Sequence, residues 1–421
     1  MGEGDGIHAA GGEVAAGGRL ALIFHYHRLN TYSFNALAGA LDAGASGALG
    51  TGGIPIDLAL TAQDVCRKAD DALAGDARVV VALSLMTCQF GDAARLMRQL
   101  QRLKRLRGGD GRLVVLAGGP HATARPGEVL AAGADAVFRG EAEASFPRVL
   151  RELSSGGRCA AVQEPDAATD LDRTFSFSPS RGMFGPIEVT RGCAFACRFC
   201  QTSQIFGVKL RHRSVGEIVR HAGMLRSINR KVVRLLSPNA FSYGSPDGRE
   251  LNLGAIRELL EALRGAVGDG RIIFAHFPSE ARPEHVTPET LALLREFADN
   301  DEIVIGAQSG SERMLERCGR AHTVADVLGA VRLGRRRGYK IIVDFMFGLP
   351  GETDEDRRES LKVMEEVSRL GARIHPHIFA PLPQTAFAAE PPGGVSPPFL
   401  DLLERFRSRR ALYENRPREE A

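Results

Sequence analysis

The chain has 421 residues, 44% of them hydrophobic and 25% charged, with a formal net charge of +3. That leaves room for two or three globular domains and too little net charge to argue for nucleic acid or a membrane surface as partner. No run of about 18 uninterrupted apolar residues is present, which argues against a transmembrane helix. Seven cysteines are too few for a disulfide framework and fit a reducing cytosol. With no tryptophan and five tyrosines, few rings are available to stack single-stranded nucleic acid.

Residues 1–18 are Gly/Ala-rich, lack the basic and apolar blocks of a signal peptide, and read as a disordered leader. Leu20 to Phe24 is a short apolar run, followed by a helical stretch around Ser33 to Ala43. Ile54 to Leu60 offers a second strand, interrupted by a proline, and Thr61 caps a helix through Ala74. Val79 to Leu85 has the pattern of a buried strand. In the next helix Leu96, Leu100, Leu103 and Leu106 recur every three to four positions, and Gly108 stops it. Its opposite side carries Arg95, Arg98, Arg102, Lys104, Arg105 and Arg107, a basic stripe that reads as a solvated face. Leu113 to Ala117 then runs into Gly118-Gly119-Pro120-His121, and Ala136 to Phe138 into Gly140-Glu141. Strand–helix repetition of this kind predicts a parallel sheet with helices on both faces. Its ligands sit at the carboxyl ends of the strands, where Gly118 and Gly119 let a ligand approach the backbone.

Residues 156–182 mix Gly, Asp, Ser and Pro without periodicity and read as a linker. The alternation then resumes, with strands at Pro186 to Thr190, Val232 to Leu236, Ile272 to Phe277, Ile303 to Ala307, Ile341 to Phe347 and Ile374 to Phe379. Helices at Ser214 to Leu225, Leu253 to Leu263 and Pro288 to Phe297, and others opened by Thr323 and Thr353, separate them. Six β/α units fit a partial barrel whose chemistry belongs at the C-terminal strand ends. Ala389 to Pro398 breaks regular structure, and a final helix carries Phe399, Leu402, Leu403 and Phe406 on one side.

Directly after the first barrel strand, Cys193, Cys197 and Cys200 form a C-x3-C-x2-C run. A [4Fe–4S] cluster usually takes four thiolates, so three at this spacing leave one iron open to a small molecule. A zinc knuckle is the alternative, but zinc wants four ligands in close pairs and no second pair follows. Cys66, Cys88, Cys159 and Cys318 are scattered singly.

The cysteine run, with Phe199 before the third cysteine, resembles the radical SAM enzymes, whose cluster binds S-adenosylmethionine (SAM) at the open iron. The runs Ala117 to Glu128 and Gly133 to Glu143 resemble the cobalamin-binding domain found upstream of many such cores. The resemblance implies an α/β protein: a Rossmann-like (flavodoxin-like) cobalamin-binding domain over 19–155, a linker over 156–183, a partial (β/α)6 TIM-type core over 184–385 and a C-terminal extension over 386–421. It assigns Cys193, Cys197 and Cys200 to the cluster, Phe199, Ser237, Asn239, Gln308 and Ser309 to SAM, and Ser84, Gly118, Gly119, Gly140 and Glu141 to cobalamin. Glu280, Arg282, His375 and His377 are candidate substrate contacts. Two departures stand out. The D-x-H-x-x-G motif that supplies an axial histidine is absent, with His25 and His27 near its place in the wrong pattern. Gln384 stands where related sequences often have glycine.

By resemblance the protein is a cytosolic cobalamin-dependent radical SAM enzyme, reduced by a low-potential flavodoxin- or ferredoxin-type donor and acting on a small molecule or peptide. The leading expectation is methyl transfer to an unactivated carbon. The alternatives are a cyclisation or oxidation without methyl transfer, and a cobalamin- or redox-sensing binding protein. Methylthio transfer to tRNA is disfavoured, because the N-terminal half lacks a second cysteine trio.

Overall fold

The computed structural model describes residues 20–45, 53–108, 111–165, 167–394, 406 and 411–413. The expected leader, and the expected final helix apart from Phe406, lie outside the described residues. The N-terminal part comprises β1 (Leu20–His25), α1 (Thr31–Ala45), β2 (Ile56–Ala59), α2 (Ala62–Leu73), β3 (Arg78–Ser84), α3 (Phe90–Leu106), β4 (Leu113–Gly118), α4 (Pro120–Ala124), α5 (Pro126–Ala131), β5 (Ala136–Phe138), α6 (Ser145–Ser154) and β6 (Val162–Gln163). All six strands are parallel, in the order β2-β1-β3-β4-β5-β6. This is a flavodoxin-like order, whose switch point lies between β1 and β3.

Side-chain alternation along the strands builds two cores. Leu20, Leu22 and Phe24 of β1 join Val80 and Ala82 under α1 and α6. Ile23 joins Val79, Val81 and Leu83 under α2 and α3. β1 and β3 are covered on both faces, which is why they read as continuous apolar runs. The basic stripe of α3 is a surface face, with Lys104 and Arg107 paired to Asp135 and Asp70 at 2.7 and 2.6 Å. One expectation needs correcting. The segment read as a plain linker contains β6, which extends the first sheet beside β5. A two-residue strand is too short to show any periodicity.

The second part holds β7 (Ile187–Glu188), β8 (Thr190–Arg191), α7 (Thr202–Phe206), β9 (Arg211–His212), α8 (Val215–Ser227), β10 (Val232–Leu236), α9 (Leu253–Val267), β11 (Arg271–Ile273), α10 (Pro288–Phe297), β12 (Glu302–Gln308), α11 (Glu312–Arg317), α12 (Val324–Arg336), β13 (Lys340–Phe347), α13 (Asp354–Arg369) and β14 (Arg373–Ile378). Six of these strands form two parallel arcs, β11-β10-β7 and β12-β13-β14. A bridge between Ala281 and Ile305 connects the arcs. Together they make an open barrel wrapped by helices. Thr323 and Thr353 cap α12 and α13 as expected, each accepting a hydrogen bond from the backbone three residues on. Leu412 lies beside Ile374 in a parallel bridge and continues the sheet past β14.

The cysteine segment is the loop between β8 and β9, an antiparallel pair in which Arg191 faces Arg211. Both arginines reach into the N-terminal domain. Arg191 bonds Glu141 at 2.7 Å, Glu143 at 2.6 Å and Glu188 at 2.8 and 2.7 Å. Arg211 bonds both oxygens of Glu141, at 2.5 and 2.9 Å. Burial would push the Glu141 carboxyl up, but the Arg211 hydrogen bonds and the Arg191 charge outweigh it and hold it at about 2. Glu141 thus stabilises the docked domains fully above its ordinary value near 4.5, and that contribution is lost as pH falls towards 2. Glu141→Ala leaves Arg211 without its carboxylate and should destabilise the fold by about 3 kcal/mol. In hydrogen-exchange measurements the Thr169 amide, which donates to Glu141, should lose protection both in this variant and in the wild type between pH 4.5 and 2.

Candidate active site

Two cavities meet where the domains join. The first, of ≈ 440 Å³, is lined by Ser84, Gly118, Gly119, Gly140 and Glu141, with Tyr32 and Phe34 of α1 and Ser237 from the barrel. It opens at the carboxyl ends of β3, β4 and β5, where a flavodoxin-like sheet binds ligands. The second, of ≈ 470 Å³, is lined by Phe199, Cys200 and Gln201 of the cysteine loop and by Met346 and His377 of the barrel. Pro120, Thr202, Ile205 and Phe206 border both.

The five residues expected around cobalamin share the first cavity's wall, but two carry a different physical meaning from the one expected. Gly119 has φ +91, and a Cβ there would lie 2.7 Å from the Leu85 nitrogen and 2.9 Å from its carbonyl oxygen. Its glycine is required by packing of its own loop against the end of β3. Glu141 is committed to the inter-domain ion cluster. Among the described residues the cavity wall contains no histidine. His27 instead lies 3.0 Å from the Asn30 amide and 3.2 Å from that of Gln89. The largely apolar wall, the glycine turns and the Ser84 hydroxyl fit a large cofactor bound without an axial protein histidine.

In the cysteine loop, burial pushes the Cys193 and Cys200 thiols up, so holding them as thiolates needs positive charge nearby. Arg320 supplies some, its Nη1 lying 3.4 Å from Cys197 Sγ and its Nη2 donating to the Gly306 carbonyl at 2.5 Å. Arg282 also donates to the Arg320 carbonyl, and its guanidinium stacks 3.5 Å from the Phe195 ring centre. A cationic surround fits the thiolate ligands of an iron–sulfur cluster. Cys318, which reads as a lone cysteine in the sequence, is buried beside Cys197 and pushed up to about 12 by burial and that neighbour. It stays a protonated thiol.

The residues expected around SAM divide. Ser237 donates to the Asn239 carbonyl at 2.8 Å, while the Asn239 amide lies 2.9 Å from His285 Nδ1 and accepts from the Arg282 nitrogen at 3.2 Å. These polar ends are spent on the loop's own structure. The Ser309 hydroxyl accepts from the Ser311 nitrogen and lies 3.3 Å from that of Ser360, an arrangement of turn type. Gln308 differs. It has φ +72 at a register shift in β12, and among the described residues its side chain makes no hydrogen bond. Strained backbone of this kind persists where the surroundings impose it, often at functional sites. A Cβ on Gly306 would meet Gln308 Nε2 at 2.9 Å, Glu280 Oε2 at 3.0 Å and Arg320 Nη2 at 3.4 Å, so that glycine makes room for a polar cluster inside the barrel. Gln384 has φ +67, the conformation a glycine would take at that turn.

Of the substrate candidates, Arg282 is tied to Glu284 and Arg320. Glu280 and His375 both meet Asp344, and His377 comes within 3.8 Å of it. Burial and the Asp344 carboxylate hold Glu280 well above the usual carboxylate range. Sequence reasoning missed Asp344 and Arg320. The first was signalled by a lone acid in the apolar run Ile341 to Phe347, the second by its place before His322-Thr323.

Residues 187–364 match the model of the Radical SAM superfamily, and residues 46–150 that of the B12 binding domain. The chain thus carries a radical SAM domain preceded by a B12-binding domain. Its chemistry therefore draws on a [4Fe–4S] cluster, SAM and cobalamin. An uncharacterized protein of Methanopyrus kandleri is 27% identical over 74% of this chain and 68% of its own length. A tRNA-2-methylthio-N(6)-dimethylallyladenosine synthase of Geobacter sulfurreducens is 32% identical over 58% of this chain, and the match spans 53% of that enzyme. The radical S-adenosylmethionine methyltransferase TsrM of Kitasatospora setae shares the fold at a TM-score of 0.64 and 18% identity, over 88% of this chain and 74% of its own. Among the described residues no helix is long and apolar enough to cross a membrane.

Cys197→Ala should reduce iron in the anaerobically reconstituted protein from about four per chain to near none. Gln308→Ala should keep the iron and weaken SAM binding about tenfold, the equivalent of one charge-assisted hydrogen bond, as measured by equilibrium dialysis.

Proposed function

We propose that this enzyme is a cobalamin-dependent methyltransferase acting on an unactivated carbon. The bound cofactors would supply a 5′-deoxyadenosyl radical from one-electron cleavage of SAM, and a methyl group on cobalt that a second SAM replenishes. The chain's own residues do the rest. Cys193, Cys197 and Cys200 would hold the cluster, with Arg320 and Arg282 offsetting thiolate charge. Gln308 faces the barrel interior with a free amide suited to SAM. Ser84, Gly118, Gly119 and Gly140 would receive the corrin. Phe199, Met346, Ile205 and Phe206 keep the second cavity apolar and shield a reactive radical from water.

The observation that carries this reading is the wall common to both cavities. Pro120 of the first domain, with Thr202, Ile205 and Phe206 of the second, borders the cavity at the cobalamin-side strand ends and the cavity at Cys200. A carbon lodged beside the cluster is then also beside the methyl donor. Methylthio transfer, suggested by the Geobacter relative, would call for a second cysteine set. The first domain's Cys66 and Cys159 instead sit in cores on opposite faces of its sheet.

The test does not need the substrate. Reduced, cobalamin-loaded enzyme given SAM with a deuterated methyl group should release S-adenosylhomocysteine and carry the labelled methyl on cobalamin, both read by mass spectrometry. Formation of 5′-deoxyadenosine without S-adenosylhomocysteine would instead favour cyclisation or oxidation. Neither product would favour sensing.

A further inference from the structure

The inner wall of the barrel contains a constellation that neither cluster nor cobalamin binding uses. Asp344 is the one acidic residue in the apolar run of β13, and it is 1% exposed. In the parallel register it lies opposite His375 of β14, while His377 lies opposite Met346. Residues two apart on a strand share a face, so both imidazoles project to the same side as the carboxylate. Asp344 Oδ1 is 2.9 Å from His375 Nδ1 and 3.8 Å from His377 Nε2. The two imidazole centres are 4.2 Å apart at 70°, and the three ligand atoms all lie within 4.8 Å of one another.

We propose that Asp344, His375 and His377 form a binding site for a divalent transition metal, which anchors a carboxylate of the substrate in the cavity beside the cysteine loop. Two imidazoles and one carboxylate on one side of an ion suit zinc or ferrous iron. Four-coordinate zinc with bonds of ~2.0–2.1 Å keeps its ligands ~3.4 Å apart, so only His377 has to move inward. It can, because its side chain is 40% exposed and its contact with Asp344 is a loose 3.8 Å. The other two ligands are braced. Glu280 lies against Asp344, and the His375 ring lies edge-on to both Phe277 and Tyr413, at 5.5 Å from each. Such outer contacts orient metal ligands.

One of the three ligands reaches a defined space. His377 lines the ≈ 470 Å³ cavity that also contains Cys200, Phe199 and Met346. A dication held by two neutral imidazoles and one carboxylate keeps a net positive charge, which favours an anionic oxygen donor in the open position. A carboxylate-bearing substrate would be fixed at one end, with its remaining carbons extending towards the cysteine loop. The assignment shares the second cavity with the proposed methyl transfer but does not depend on that outcome.

The test counts metal rather than turnover. Full-length protein with its cluster reconstituted is incubated anaerobically with zinc sulfate and gel-filtered, and zinc and iron are measured by mass spectrometry. About one zinc per chain is expected beside the iron. His377→Ala and Asp344→Asn should each lower retained zinc at least tenfold while keeping the iron, and Cys197→Ala should lose iron and keep zinc. Zinc-edge X-ray absorption of the wild type should show nitrogen and oxygen neighbours at ~2.0–2.1 Å. Failure of the wild type to retain zinc overturns the proposal, as does retention undiminished in His377→Ala. A sulfur shell, or zinc lost only with Cys197→Ala, also overturns it by placing the ion on the cysteine loop.

Discussion

Two arginines and three carboxylates at the foot of the cysteine loop hold this molecule's parts in register. Arg191 and Arg211 face each other across the β8–β9 pair and together hold Glu141 of the first domain, with Glu143 and Glu188 completing the cluster. Buried charges are costly to desolvate and gain only with good geometry on every partner. Here each guanidinium makes several charge-assisted hydrogen bonds, so sliding one domain against the other would leave unpaired charge in a nearly dry interface. The cost works as a positional constraint. It fixes the loop that carries the cysteines relative to the strand ends that line the first cavity.

A second buried polar system lies inside the barrel. Arg320 links the Cys197 sulfur to the Gly306 carbonyl, Arg282 reaches the Arg320 carbonyl, and Glu280 joins Asp344 and its two histidines. Around it the barrel is packed with buried residues such as Ile305, Val343 and Phe345. In so apolar a setting, polar groups keep their orientation because each alternative rotamer loses a partner.

Much of the architecture was legible because it follows local rules. Val79 to Leu85 and Ile341 to Phe347 announce strands covered on both faces, and Thr61, Thr323 and Thr353 accept the capping bonds their positions imply. The cysteine spacing and the glycine turns could be read as written. What escaped depends on distant partners. Glu141 and Arg191 are 50 residues apart, and nothing local says that they meet. Ser237 and Asn239 bear polar side chains at a strand end, as a cofactor contact would, yet their neighbours consume those bonds. Gln308 shows no sequence sign of its left-handed backbone. The β6 strand has two residues and therefore no period to detect.

The outer edge of β14 has a further consequence. An open barrel leaves its last strand with unpaired amides and carbonyls, a template for pairing with another chain. Here Ile374 donates to the Ala411 carbonyl at 2.8 Å and accepts from the Tyr413 nitrogen at 2.7 Å. Tyr413 then lays its ring beside His375 and Phe277. The same few residues therefore guard solubility and wall off the barrel interior. A chain shortened before Ala411 would expose a sticky edge and open a side entrance at once, coupling self-association to leakage of solvent into the reaction chamber.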